Sequence, residues 1–95
     1  MNPIGPFETT QEARAAAHTI VQPSPGMSIL DEAQNCELLA VVCAQAGVEN
    51  DAYDRCFLKW VAGSEDSMCG VFAGMLLRAH EAGKLAAMTS EENSK

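Results

Sequence analysis

Residues 28–47 read SILDEAQNCELLAVVCAQAG, and the way this stretch repeats decides the fold class. Ser28 followed by Asp31 and Glu32 places a cap and two acids where a helix N-terminus favours them, and Gly47 supplies a stop. Between them Ile29, Ala33, Cys36, Ala40 and Cys43 recur at steps of four and three, which draws one stripe along a helix expected over 29–46. Leu38, Leu39, Val41 and Val42 spread apolar surface round most of the remaining circumference. Such a helix is either central to a bundle or covered by a partner.

The flanking sequence repeats the same pattern of cap, stripe and glycine. On the C-terminal side, Asn50 is placed to cap a helix over 51–62. In that helix Tyr53, Cys56, Phe57, Trp60 and Val61 share one face, while Asp54, Arg55 and Lys59 face water. Gly63 ends it, and Ser64 with Glu65 and Asp66 opens a fourth helix over 65–82 whose apolar positions are Met68, Val71, Phe72, Met75, Leu76 and Ala79. Gly83, followed by Leu85, has the form of a C-terminal glycine cap. Gly70 and Gly74, four residues apart, lie on one side of that helix and allow a neighbouring backbone to approach closely within the domain.

On the N-terminal side, Pro23, Pro25 and Gly26 impose a turn. Before it, Thr9 and Glu12 have capping-box spacing for a helix over 10–21, whose interior ARAAAHTIV has high helix propensity and little volume. This helix is expected to be peripheral. Pro3, Gly5 and Pro6 keep residues 1–8 out of a helix as an arm, with Phe7 free to fold back, and TSEENSK (89–95) is expected to be a loose tail. No stretch alternates as a strand and no repeat occurs, so the expectation is an all-α, four-helix single domain over residues 1–95, with the bundle at 9–88.

Size and charge narrow the function. Ninety-five residues support one core only, and 13 acids against 6 bases give a net charge of −7. That balance opposes direct binding of a phosphate backbone. A helix-turn-helix reading of the third and fourth helices meets the same objection, because Glu65 and Asp66 would stand at the tip of the recognition helix. The longest apolar run, Leu38 to Ala44, is far short of the roughly 20 residues needed to span a membrane. The opening MNPIGPFETT has neither a charged nor an apolar signal region, so the expected address is cytoplasmic, with Cys36, Cys43, Cys56 and Cys69 as thiols.

Those cysteines, with His18 and His80, pose the question of a metal. Structural zinc sites use ligand pairs two to four residues apart, whereas the gaps here are 7, 13 and 13. Cys36 and Cys43 would share a helix face roughly 10 Å apart along the axis, too far for one ion. Buried structural thiols are the expected use, with no metal or other cofactor. A metal-binding or thiol-redox protein, with Cys43 brought towards Cys56 by a helical hairpin, is the alternative. Both histidines are expected at the surface, and neither has a nucleophile or acid beside it in a local motif, so no catalytic residues are assigned and the protein is read as a non-enzyme.

Association remains. The second helix has more apolar circumference than a small bundle readily buries, and methionines with the one tryptophan supply adaptable contact surface. Between Ser28 and Asp66, eight acids stand against two bases, a net of −6. The expected function is a small acidic α-helical protein–protein interaction module, either a homodimer or bound to a larger protein. A specific form of it is an inhibitor of a basic nucleic-acid-handling machine, in the manner of anti-CRISPR proteins and other phage antagonists. The partner-contact candidates are Leu38, Leu39, Val42, Trp60, Met68 and Met75, with Glu49, Asp51 and Asp54 as the acidic rim.

Overall fold

In the computed structural model, which describes residues 4–93 and side chains through residue 86, the chain forms four helices and, among the described residues, no strand. They are α1 (Thr10–Ile20), α2 (Glu32–Ala46), α3 (Ala52–Ala62) and α4 (Asp66–Asn93). The all-α expectation holds, and the boundaries move by a few residues for local reasons. Helix α2 starts at a cap on Asp31 rather than Ser28, because Gln34 completes a reciprocal box. The Gln34 N–H donates to Asp31 Oδ1 (2.8 Å), and the Asp31 N–H donates to Gln34 Oε1 (3.0 Å). Asp51 takes the place expected for Asn50, with its N–H donating to the Asp54 carboxylate at 3.0 Å. Gly47 ends α2 in the left-handed region at φ 73°, a conformation that favours glycine.

Helix α4 is the largest departure. It does not stop at Gly83 but runs on to Asn93, through most of the stretch expected to be loose, while Ser94 and Lys95 lie outside the described residues. A glycine inside a helix costs about 1 kcal/mol. Here its neighbours Glu81, Ala82, Lys84, Leu85 and Ala86 are strong helix formers, and Lys84 and Glu81 pair at 3.8 Å one turn apart.

Helix α1 is not peripheral. It lies along α4, with Ala13, Ala16 and Ala17 buried. Small residues make this possible on both sides. A methyl group built on Gly70 would collide with the Ala13 carbonyl oxygen and stand 3.1 Å from its carbon and 3.3 Å from the Ala17 methyl. Gly74 plays the same part for the arm, where an added methyl would lie 2.8 Å from the Ile4 carbonyl oxygen and 2.9 Å from the Phe7 ring. Phe7 therefore does fold back, and an Arg78 guanidinium N–H donates to the Ile4 carbonyl at 2.9 Å to hold the arm there.

The core lies between α1, α2 and α4 and is built from Ala17, Val21, Leu30, Leu38, Val42, Cys69 and Ala73. Buried Asn35 on α2 pins the α3–α4 corner, its amide donating to the carbonyls of Ala62 (3.1 Å) and Ser64 (3.3 Å).

Candidate docking face

Helices α3 and α4 each carry two apolar faces, and which one turns inward determines what the surface offers. On α4 the fully buried inward residues are the small ones, Cys69, Gly70, Ala73 and Gly74, with Leu76 and Leu77 half-buried against the core beside them. The small residues match the alanines of α1, since two faces of small residues can approach more closely than two faces of large ones. The bulky stripe is left outside, with Met68, Val71 and Met75 exposed. Helix α3 turns Leu58, Val61 and Ala62 towards the rest of the chain, of which only Ala62 is fully buried, and touches α4 through the edge of Phe57 as well. Tyr53, Phe57 and Trp60, expected to share one face with Trp60 as its partner contact, face solvent.

The two outward stripes join. The Phe57 ring lies 6.2 Å from the Trp60 ring and 6.4 Å, edge-on, from the Phe72 ring of α4, within the 4.5–7 Å range of aromatic pairs. One apolar face thus runs across both helices. Glu32, Lys59 and Ser64 line the cleft on its Trp60 side, with Cys56 between.

The contact candidates taken from the sequence divide accordingly. Trp60, Met68 and Met75 are on the exposed face, and Glu49, Asp51 and Asp54 are exposed acids around the N-terminal end of α3. Leu38, Leu39 and Val42 are not available for contact, because all three are completely buried. These large apolar residues of α2 are covered by neighbours inside the chain, the end of α1 and α4 on one side and the α3 corner on the other, while Ala33, Ala40 and Ala44 stay exposed. Tyr53, Phe57, Val71 and Phe72 were missed. The signal for them is the opposed small-residue face on α4, which fits the alanine-rich α1 and thereby forces the large residues outward.

The acids also divide. Seven of the eight between residues 28 and 66 are exposed, whereas Asp66 is buried at the start of α4. Its carboxylate accepts from Arg14 Nε at 2.9 Å and from the Leu30 N–H at 3.2 Å, and it meets His18 Nε2 at 2.6 Å. Burial pushes this carboxyl up, but the bonds from His18, Arg14 and Leu30 together outweigh it and hold the group below its ordinary value. His18 is accordingly half-buried at α1 rather than a plain surface residue, and Asp66 is more than a first-turn acid answering the helix dipole. The cluster is a structural knot tying α1 and the α2 approach to α4.

Of the four thiols only Cys43 and Cys69 are buried as expected; Cys36 is half-buried, and Cys56 is exposed because the face of α3 that carries it turns to solvent. All four are free. Cys43 lines a groove of about 450 Å³ with Cys36, Ala40, Val48, Arg55 and Leu58, whereas Cys56 lines the cleft beside Trp60. Buried Cys69 donates to the Val61 carbonyl at 3.4 Å; desolvation and the nearby Asp66 charge push its thiol up, away from the reactive thiolate form. Among the described residues, no group of three or more His, Cys, Asp or Glu side chains is placed to hold a metal ion, and no helix is long and apolar enough to cross a membrane. Compared with protein-family models, with curated proteins and with solved structures, the chain matches none of them.

Proposed function

We propose that this protein is a non-enzymatic, acidic α-helical interaction module that associates with another polypeptide through the outward face of α3 and α4. The carrying observation is the continuous exposure of Tyr53, Phe57, Trp60, Met68 and Met75 on two adjoining helices. Aromatic residues and methionine are the types enriched in the cores of protein interfaces. A monomeric protein rarely leaves such a surface uncovered, because its largest apolar patch is typically about 300–600 Å².

The seven exposed acids support a more specific form of this function. Set against the two bases Arg55 and Lys59, they give residues 28–65 a strongly negative surface that speeds encounter with a basic partner and repels nucleic acid. An inhibitor that occupies the basic channel of a nucleic-acid-handling machine has this combination of an apolar anchor and an acidic flank.

The test is a double substitution, Tyr53→Asp with Trp60→Glu, in the full chain. Both positions are exposed, so helicity by circular dichroism is expected to stay at its wild-type level, while association with any polypeptide, itself included, is lost. If wild-type protein stays monomeric and binds no host protein at any accessible concentration, the module reading is wrong.

A further inference from the structure

The outward stripe of α4 has a repeat of its own. Met68, Phe72, Met75, Ala79, Ala82 and Ala86 follow one another at steps of four, three, four, three and four. That is the spacing of the contact seam between two paired helices. The seam extends about 27 Å at 1.5 Å per residue. Along it Met68, Met75, Ala79, Ala82 and Ala86 are exposed, and Phe72 is half-buried against α3. Among the described residues only the Phe57 ring of α3 reaches it, at Phe72; α1, the arm and α2 meet α4 from the side of Gly70, Ala73 and Gly74.

The seam is polarised. Its first half holds three large residues and its second half three alanines. A parallel partner of the same sequence would set large against large and alanine against alanine. An antiparallel one places Met68 opposite Ala86, Phe72 opposite Ala82 and Met75 opposite Ala79, so that every large side chain meets a small one in both copies at once. Self-complementarity of this kind is what a two-fold interface demands.

Charge points the same way. The chain as a whole is strongly negative, yet between Asp66 and Glu91 the sole acid is Glu81, set against Arg78 and Lys84. The seam therefore carries no like-charge repulsion. Antiparallel pairing lays the basic half of each α4 over the end of the other that adjoins Glu65 and the acid-rich segment. The area is also sufficient. Tyr53 is 88% exposed, Trp60 74%, Met68 59%, Met75 55%, Phe57 50% and Val71 36%. With full areas of about 150–250 Å² for large side chains, the face amounts to roughly 700 Å² per copy. A standard stable interface needs about 800 Å² per partner, which the alanine half of the seam helps to complete.

We propose that the occupant of this face is a second copy of the same chain, its α4 running antiparallel along the Met68–Ala86 seam. This rests on the reading of the α3–α4 face as a docking surface and commits it to one partner.

Sedimentation equilibrium over a wide concentration range, read together with emission and acrylamide quenching of the single tryptophan, tests it. Wild-type protein should be a dimer, with Trp60 turning blue-shifted and protected as the dimer forms. Met75→Glu and Ala79→Lys, both at exposed positions, should each keep wild-type helicity and weaken self-association by about a hundredfold or more. Mixed in equal amounts, the two variants should recover a heterodimer, because antiparallel pairing sets the introduced carboxylate opposite the introduced ammonium.

A wild-type dimer whose two variants fail to rescue one another overturns the antiparallel seam. A wild-type monomer with Trp60 open to quencher overturns the second copy as occupant but leaves the docking face intact for another partner. A monomer with Trp60 already protected overturns both readings, since the face would then be closed within the chain.

Discussion

Substituting Gly70 by alanine tests the seating of α1 directly, because two effects of opposite sign compete at that position. Alanine is favoured over glycine inside a helix by about 1 kcal/mol. Against this, the new methyl would overlap the Ala13 carbonyl oxygen and crowd the Ala17 methyl. Overpacking of this kind costs about 1–3 kcal/mol, and the upper end applies when the obstacle is backbone rather than the tip of a flexible side chain. Helix α1 must then lift away from α4, so a net loss of about 2 kcal/mol is expected, which lowers the melting temperature of a domain this size by about 10 °C. Gly83 on the same helix meets nothing within 4 Å. The same substitution there should raise stability by up to about 1 kcal/mol. Urea titration followed by circular dichroism reads both values. If Gly70→Ala stabilises the protein as Gly83→Ala does, α1 is not packed on α4 and the account of why α4 turns its large residues outward fails with it.

Other consequences are equally open to measurement. Asp66→Asn keeps the shape of a buried side chain but removes the charge that Arg14 and His18 answer, and should cost about 3 kcal/mol in urea unfolding. Because the Asp66 carboxyl is held below its ordinary value of 3.8, the stability it contributes is present above that pH and is lost as the pH falls through the folded-state value. The urea midpoint should therefore drop on acidification below about pH 4, and the drop should be shallower in Asp66→Asn. Asn35→Ala leaves the Ala62 and Ser64 carbonyls without their donor and should cost about 1–3 kcal/mol, with the α3 amides losing hydrogen-exchange protection first. A thiol reagent applied to the native protein should modify exposed Cys56 quickly, and buried Cys43 and Cys69 only at the rate of unfolding.

Much of the fold can be read from local signals, because helix formation depends on near neighbours. Thr9, whose hydroxyl accepts from the Glu12 N–H at 3.1 Å, and Gly47 with its left-handed turn do what their residue types suggest. The three- and four-residue steps of apolar residues fix four helices in their order. What they do not fix is the rotation of each helix about its axis. Helix α4 has a small face and a large face, both apolar, and the pattern alone favours burying the large one. The decision comes from α1, more than fifty residues earlier, whose alanines accept only a small counterpart. The same rotational freedom took Leu38, Leu39 and Val42 from the surface and added Tyr53 and Phe57 to the exposed Trp60. The Asp66 knot was hidden for a related reason: an acid beside another acid at a helix start has a sufficient local explanation, and its partners on α1 are visible only in three dimensions.

That knot also bears on how the chain reaches its native state. Asp66 lies 52 residues from Arg14, 48 from His18 and 36 from Leu30 along the sequence, so one carboxylate closes three long loops. Closure entropy rises only slowly with loop length, and once the first partner has docked the others arrive at little further entropic cost. The three contacts are therefore expected to form and break together. Together with the Arg78–Ile4 bond and the packing of Gly70 on Ala13, the knot adds contacts of high sequence separation to a helical bundle, and such contacts slow folding relative to purely local ones.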